Sequence, residues 1–392
     1  MDFELTPEQQ AVKARATAFV DEVCKPLEDS WAYDDLEMDP VVVMSVTKQF
    51  REYGLRGLSI PKEVGGLGLG TIAKCLVYEE LMTSHVMHGG LMTWTGVTEP
   101  HPGLYVAPQW QREKYLDPML QDERFFAIHI SEPGAGSDAA GITTTAVRRG
   151  NDYVINGLKR WGPPPHHPAI KPDYLLTYAV TDPTKGHKGI SLFLVDYPNP
   201  GVTVTNEYET IGTGYLGQAA DWEYKDCAVP AENILGVEGG GFSEMMDQLN
   251  RNRVVICARL LGTAQWAQKR AIARAKERVA FGSPIGERQA VQWMIAESEM
   301  ELAQLRWMIY NAAWMLDNGI DARKEVAMAK AAAPVIGCNV IDRAIQIHGG
   351  LGLIRETRLA QVYAECRIAQ VAEGSTEMMK MTIAREAMRA SS

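Results

Sequence analysis

Apolar positions recur at helical spacing at both ends of the chain and alternate with polar ones in the middle. Up to residue 124 the pattern predicts helices over Pro7 to Cys24, Pro40 to Tyr53, Gly70 to Met87 and Pro108 to Leu120. Loops rich in Gly and Pro separate them, among them Gly65-Gly66-Leu67-Gly68-Leu69-Gly70. From 125 to 236 the period falls to two. Strands are predicted over Arg124 to Ile130, Tyr174 to Val180, Gly189 to Asp196, Val202 to Thr205 and Asp221 to Tyr224. Asn156-Gly157 lies between two further β-prone runs, Tyr153 to Ile155 and Leu158 to Trp161, and predicts a hairpin turn. From 237 to 392 the helical period returns, with long helices expected over Gly239 to Val279, Gln289 to Asn318, Glu325 to Gln346 and Glu356 to Ala372. Val326, Ala329, Ala333, Ile336, Val340, Ala344 and Ile347 form one apolar stripe, with a kink expected at Pro334. The fold class that follows is α+β: an N-terminal α-helical domain (1–124), a central antiparallel β-barrel or sandwich (125–236) and a C-terminal four-helix-bundle domain (237–392).

Charge narrows the partners. The 392 residues carry a net charge of −10 and no run of five basic residues, which argues against nucleic acid or an anionic membrane surface as the main partner. No apolar stretch approaches the ~18 residues of a membrane span, and the acidic start is unlike a signal or transit peptide. Six scattered cysteines make no Cys-x-x-Cys pair, so no zinc site or disulfide framework is expected and a reducing, cytoplasmic setting fits. His85 with His88, and His166 with His167, lack acidic or thiol partners at ligand spacing, so no metal is expected.

Candidate chemistry concentrates at a few breaks in the pattern. Glu373 precedes Gly374 between two helical stretches, and Ser375 is placed to cap the second, which runs from Thr376. A carboxylate there suits a general base, and equally an exposed acid at a helix C-terminus. Ser131-Glu132-Pro133-Gly134-Ala135-Gly136-Ser137-Asp138 follows an apolar strand. Its glycines let backbone N–H groups approach a polar ligand, and a structural tight turn has the same composition. Arg278 to Gly282 and Gln346 to Gly350 end long helices with a cation and an aromatic, and with a diglycine. Gly212-Thr213-Gly214-Tyr215-Leu216-Gly217 matches a dinucleotide fingerprint by letter, but strands are predicted on both sides, so it is set aside as a turn.

Together these segments resemble the acyl-CoA dehydrogenase family, FAD-dependent enzymes that desaturate acyl thioesters, and in particular its bacterial fatty-acid-type members. The likeness runs from Leu5-Thr6-Pro7-Glu8-Gln9 to Ala384-Arg385-Glu386. It includes Ile60 to Gly68, Ser131 to Asp138, Asp152 to Trp161 and Val229 to Gly236. The resemblance implies α,β-dehydrogenation of an acyl-CoA, or acyl-carrier-protein, thioester to the 2-enoyl product. It implies Glu373 as the base that removes the α-proton, with Arg253 beside it. Ile130, Ser131, Ser137, Trp161, Arg278, Phe281, Gln289, Gln346, Gly349, Gly350, Ser375 and Glu377 fall on FAD-binding positions. Ser137, Asn250, Arg253, Gly374 and Arg385 fall on substrate-binding ones. A homotetramer and an electron-transferring flavoprotein as electron acceptor are implied too.

The chain departs from the family where a Thr or Ser hydroxyl usually meets flavin N5. It has Gly162-Pro163-Pro164-Pro165, and Pro163 supplies neither a hydroxyl nor an N–H. That departure keeps two alternatives in view, a flavin oxidase or monooxygenase on the same scaffold and a non-catalytic thioester-binding subunit. Acyl length, branching and ring content are not legible.

Overall fold

The computed structural model describes residues 4–34, 37–88, 99–165 and 171–390, leaving aside the side chains of 214, 215 and 390. His166 and His167 lie outside the described residues. Helix α1 (Pro7–Phe19) starts from a capping box in which Thr6 and Gln9 satisfy each other's backbone N–H groups. It continues through a π-helical turn (Val20–Cys24) to α2 (Pro40–Glu52) and α3 (Gly70–Leu81). Short helices α4 (Gln109–Gln111) and α5 (Asp117–Leu120) lead into the sheet. After the sheet come α6 (Gly241–Glu277), α7 (Gln289–Asp317), α8 (Arg323–His348), α9 (Leu359–Ala369) and α10 (Thr376–Ala390). The first three helices share one core with the C-terminal ones. Val12, Phe19, Phe50 and Leu81 pack in the same cluster as Leu261, Ile309, Val340 and Val362. The predicted stripe on α8 is buried at Val326, Ala329, Ala333, Val340, Ala344 and Ile347.

The sheet domain holds β1 (Phe126–His129), β2 (Thr145–Arg149), β3 (Asp152–Gly162), β4 (Tyr174–Val180), β5 (Ile190–Asp196), β6 (Val202–Glu209), β7 (Gln218–Pro230) and β8 (Ile234–Leu235). Their order is β6-β7-β3-β2-β4-β5-β8, with β1 beside β4. Most pairs are antiparallel; β1 and β2 meet β4 in parallel. A small hairpin, β9 (Val279–Ala280) with β10 (Ser283–Pro284), follows α6. The continuous apolar runs in β4 and β5 have a simple cause. Tyr174, Leu176, Tyr178, Leu192 and Leu194 face a core shared with Leu104, Tyr115 and Leu116. Leu175, Ala179, Phe193 and Val195 face a second core with Tyr153, Ile155 and Trp222. A strand covered on both faces has no reason to alternate.

One local expectation fails. Asn156-Gly157 is not a turn but lies inside β3, at a register shift against β7. Gly157 is needed there for contact: a Cβ would stand 2.3 Å from Thr144 Oγ1. The reversal between β2 and β3 falls at Gly150-Asn151, with Gly150 at φ +65°.

Candidate active site

The break before α10 is a built turn. Glu373 has φ +55° and Gly374 φ +97°. A Cβ on residue 374 would lie 2.9 Å from the mobile ends of Arg253 (Nη2) and Met379 (Cε), and it is the φ of +97°, which L side chains rarely adopt, that favours glycine. Arg253, on α6, donates from Nε to the Glu373 carbonyl (2.8 Å) and from Nη1 to Asn250 Oδ1 (3.0 Å). Ser375 Oγ accepts from the Met378 N–H at 3.4 Å, at the N-cap of α10. Glu373, Gly374, Arg253, Asn250 and Ser375 therefore come together.

Sequence reasoning missed the residue that closes this turn. Lys330 of α8 is buried, and its Nζ donates to the carbonyls of Ala369 (2.6 Å), Ala372 (3.0 Å) and Gly374 (3.3 Å). These are orphan acceptors at and beyond the end of α9. Its signal was present: Lys330 sits four residues after Val326 and three before Ala333, on the apolar stripe itself.

Arg253 and Lys330 bond the backbone of this turn, not the Glu373 carboxylate. The residue is half-buried, and its Oε2 is buried with no hydrogen-bond partner among the described residues. Burial raises its pKa above the usual carboxylate range; the charges of Lys330, Arg253 and Arg259 pull the other way without cancelling the rise.

A second constellation surrounds the loop after β1. Lys159 of β3 is buried and donates to Glu132 Oε1 (2.8 Å) and to the Ile130 carbonyl (3.1 Å). Glu132 also accepts from the Thr143 N–H (2.6 Å), the Thr143 hydroxyl (2.8 Å) and the Thr144 N–H (3.0 Å). Burial alone would raise the Glu132 pKa, but Lys159 and these donors hold it down at about 2. The Ser131 carbonyl accepts from the Arg160 N–H. With the carbonyls of Ile130 and Ser131 so engaged, N–H groups are what this edge can offer a ligand. Ser137, Gly134 and Gly136 are exposed on the loop, and a Cβ at either glycine would meet nothing within 4 Å.

Trp161 ends β3 at φ +66° and is 59% exposed, a costly display for an indole. It leans on Tyr208 (centroids 5.2 Å apart), and Arg160 lies over both rings while pairing with Asp221 at 2.9 and 2.8 Å. Pro163 beside it has its carbonyl occupied by Trp222 Nε1 at 3.1 Å. His129 is structural. Its Nδ1 pairs with the Tyr224 hydroxyl at 2.7 Å, and burial pushes its pKa down to about 3. His348 Nδ1 pairs with the Ala344 carbonyl. Arg278, Phe281 (99% exposed), Gln289, Gln346, Gly349 and Gly350 lie exposed along the C-terminal bundle, away from any partner in the same chain that would explain them as core. Glu377 and Arg385 are exposed on α10. Among the described residues no group of three or more His, Cys, Asp or Glu could hold a metal ion, and no helix is long and apolar enough to cross a membrane.

Known proteins match the chain along nearly all of its length. The acyl-CoA dehydrogenase N-terminal domain matches residues 6–123, the middle domain 127–227 and the C-terminal domain 239–388. Acryloyl-CoA reductase (NADH) of Anaerotignum propionicum is 32% identical over 99% of this chain and 96% of its own. A subunit of the caffeyl-CoA reductase-Etf complex of Acetobacterium woodii is 35% identical over 89% of this chain and 91% of its own. The structure of butyryl-CoA dehydrogenase from Megasphaera elsdenii superposes with a TM-score of 0.88, at 28% identity, over 99% of this chain and 100% of that one. The chain belongs to the acyl-CoA dehydrogenase family. It is an oxidoreductase of acyl-CoA compounds, and FAD is its cofactor.

Proposed function

We propose, from that membership and from the geometry at 373, that the chain desaturates an acyl-CoA thioester at its α,β carbons with Glu373 as the base. The observation that carries this is the bare, buried Oε2 of Glu373 on a turn that Arg253 and Lys330 hold through its backbone carbonyls. FAD, when bound, supplies the hydride acceptor. Glu373 takes the proton α to the thioester carbonyl, and its raised pKa makes it a stronger base than a solvated carboxylate. Its backbone N–H would polarise that carbonyl, an oxyanion-type role that the family membership implies. Arg253 and Lys330 fix the turn, and Asn250, Gly374 and Arg385 border the thioester.

The residues fit FAD. The exposed Trp161 face, the N–H edge at Ile130 and Ser131 and the open glycines near Ser137 suit a flat, polar ring system and its phosphates. Arg278, Phe281, Gln289, Gln346, Gly349 and Gly350 would reach the FAD of a neighbouring copy, with Ser375 and Glu377 near its nucleotide end. Trp293, Met300, Trp307 and Trp314 support such a copy: they recur every seven residues on α7 and are 46–62% exposed. An apolar seam of that period fits a partner helix, in keeping with a homotetramer. The Etf complex to which the caffeyl-CoA reductase relative belongs supports an electron-transferring flavoprotein as acceptor.

Anaerobic mixing with acyl-CoAs tests the reading. Substrate should bleach the flavin of the native protein, while Glu373→Gln keeps FAD yet loses bleaching and α-proton exchange, a fall of about 100-fold or more. Retained turnover in that variant would remove Glu373 from its role. Pro163 favours one second reading, an oxidase or monooxygenase, because nothing on that residue can donate to flavin N5. Rapid reoxidation of the reduced enzyme by O₂ would favour it; slow reoxidation with fast transfer to an electron-transferring flavoprotein would exclude it.

A further inference from the structure

Arg259 differs from most of the cations drawn into this molecule; Arg274, further along α6, likewise has a buried Nε without a partner among the described residues. Lys159 has Glu132, Lys330 has three carbonyls, Arg253 has the Glu373 carbonyl and Asn250, and Arg358 has the Ala32 carbonyl. Arg259 is half-buried on α6. Among the described residues its guanidinium forms no ion pair and donates no hydrogen bond, and its Nε is fully buried without a partner. A guanidinium carries five donors and cannot shed its charge. Leaving it unspent inside a protein is costly unless something else arrives to use it.

Its surroundings say where that something would lie. The charge of Arg259 acts on Tyr78 of α3, His88, Cys366 of α9 and Glu373. The guanidinium thus lies within electrostatic reach of α3, α9 and the turn that carries the base. Six residues separate it from Arg253, about 9 Å along α6. Helical side chains tilt toward the N-terminus, so its head leans back along α6 toward the level of Arg253, from a position about 120° round the helix. The nearby acids are already engaged: Glu79 by Arg306 and Tyr310, and Glu99 by Lys74 and Ser59. Oε2 of Glu373 and Nε of Arg259 are thus orphaned groups of one region, within electrostatic reach of each other, and Nδ1 of His88 is a third.

We propose that Arg259 sets substrate specificity by receiving an oxyanion at the far end of the acyl group. The preferred substrates are then acyl-CoA thioesters that carry a carboxylate or a phosphate ester on a distal carbon, not plain alkyl chains. Arg suits either oxyanion through its planar fork. This inference rests on Glu373 being the base at the thioester end.

Two measurements test it with the FAD-loaded protein. The first is anaerobic flavin bleaching by straight-chain acyl-CoAs and by ω-carboxy and ω-phosphooxy acyl-CoAs of about five to eight carbons, spanning the helix distance. The native protein should favour an oxyanion-bearing chain over the unsubstituted chain of equal length, and the carboxylate and phosphate arms decide between those two sources. Arg259→Gln should lower kcat/KM for that substrate by about 100-fold or more and leave the plain chain unchanged or better. Arg259→Lys should recover part of the loss, with FAD content showing that each variant is folded. A native preference for plain chains, untouched by Arg259→Gln, would overturn the proposal. The second is calorimetric binding of the same thioesters to Glu373→Gln, with and without Arg259→Gln. An oxyanion preference lost with Arg259 in that background supports the site even if native bleaching fails, which would then count against the dehydrogenase reading alone. Equal binding of both classes in both backgrounds would overturn the proposal.

Discussion

Glu132 and Glu373 are both carboxylates drawn into the protein, each within reach of a buried lysine, and they end in opposite states. Glu132 accepts from four donors, Lys159 among them, and its pKa is held at about 2. Glu373 has one oxygen with no donor at all, and its pKa is raised. The difference lies in what the lysines do. Lys159 reaches its carboxylate, whereas Lys330 donates to main-chain carbonyls around Glu373 and Arg253 to the Glu373 carbonyl and to Asn250. An acid whose acceptor capacity is filled becomes scaffold. An acid whose neighbours are occupied elsewhere keeps its lone pairs for a substrate, while the same neighbours lock its position.

The largest effect should come from breaking the scaffold pair. Lys159→Met leaves Glu132 buried without its cation and should cost about 3–5 kcal/mol of stability, read from denaturant unfolding of the FAD-loaded protein. Acid should expose the same pair. The folded-state pKa of Glu132 is depressed, so its contribution is present above the unfolded value near 4.5. That contribution is lost as pH falls toward about 2. A Lys159→Met protein as stable as the parent would end the claim that this pair holds the 131–138 loop.

Lys330→Met should cost less, about 1–3 kcal/mol, because it strips a donor from carbonyls and leaves no unpaired charge. Its sharper signature is kinetic. The Lys330 charge holds the Glu373 pKa down against burial, so its removal should move the acid limb of flavin bleaching to higher pH. A merely structural lysine would lower the rate without moving that limb.

The two acids were unequally legible in the sequence. Glu373 was found because it interrupts a helical period and precedes a glycine, signals carried within five residues. The α8 stripe and the strands of the middle domain were legible for the same local reason. Glu132 entered only as one letter of a Gly-rich loop, since its partner Lys159 is 27 residues away across β3. Lys330 was hidden further, for its carbonyl partners lie 39 to 44 residues on and a carbonyl leaves no trace in a sequence. Arg259 was likewise invisible as an unspent cation, because a missing partner is a fact of packing. Asn156-Gly157 failed in the opposite sense: its local turn chemistry was strong, but the close approach of Thr144 overrode it.

The smallest effect is the most discriminating. Because burial raises the Glu373 pKa, the folded state binds that proton more tightly than the unfolded chain does. Stability contributed by the protonated form is therefore present at low pH and is lost as pH rises through the folded-state value. A neutral isostere escapes that loss. Glu373→Gln should melt at least as high as the parent at pH 8, with the gap closing on acidification, while Glu132→Gln should melt lower than the parent at pH 8. A Glu373→Gln protein that also melts lower at pH 8 would mean that its carboxylate is holding the turn, as Glu132 holds its loop, and is not the unengaged base that the bare Oε2 implies.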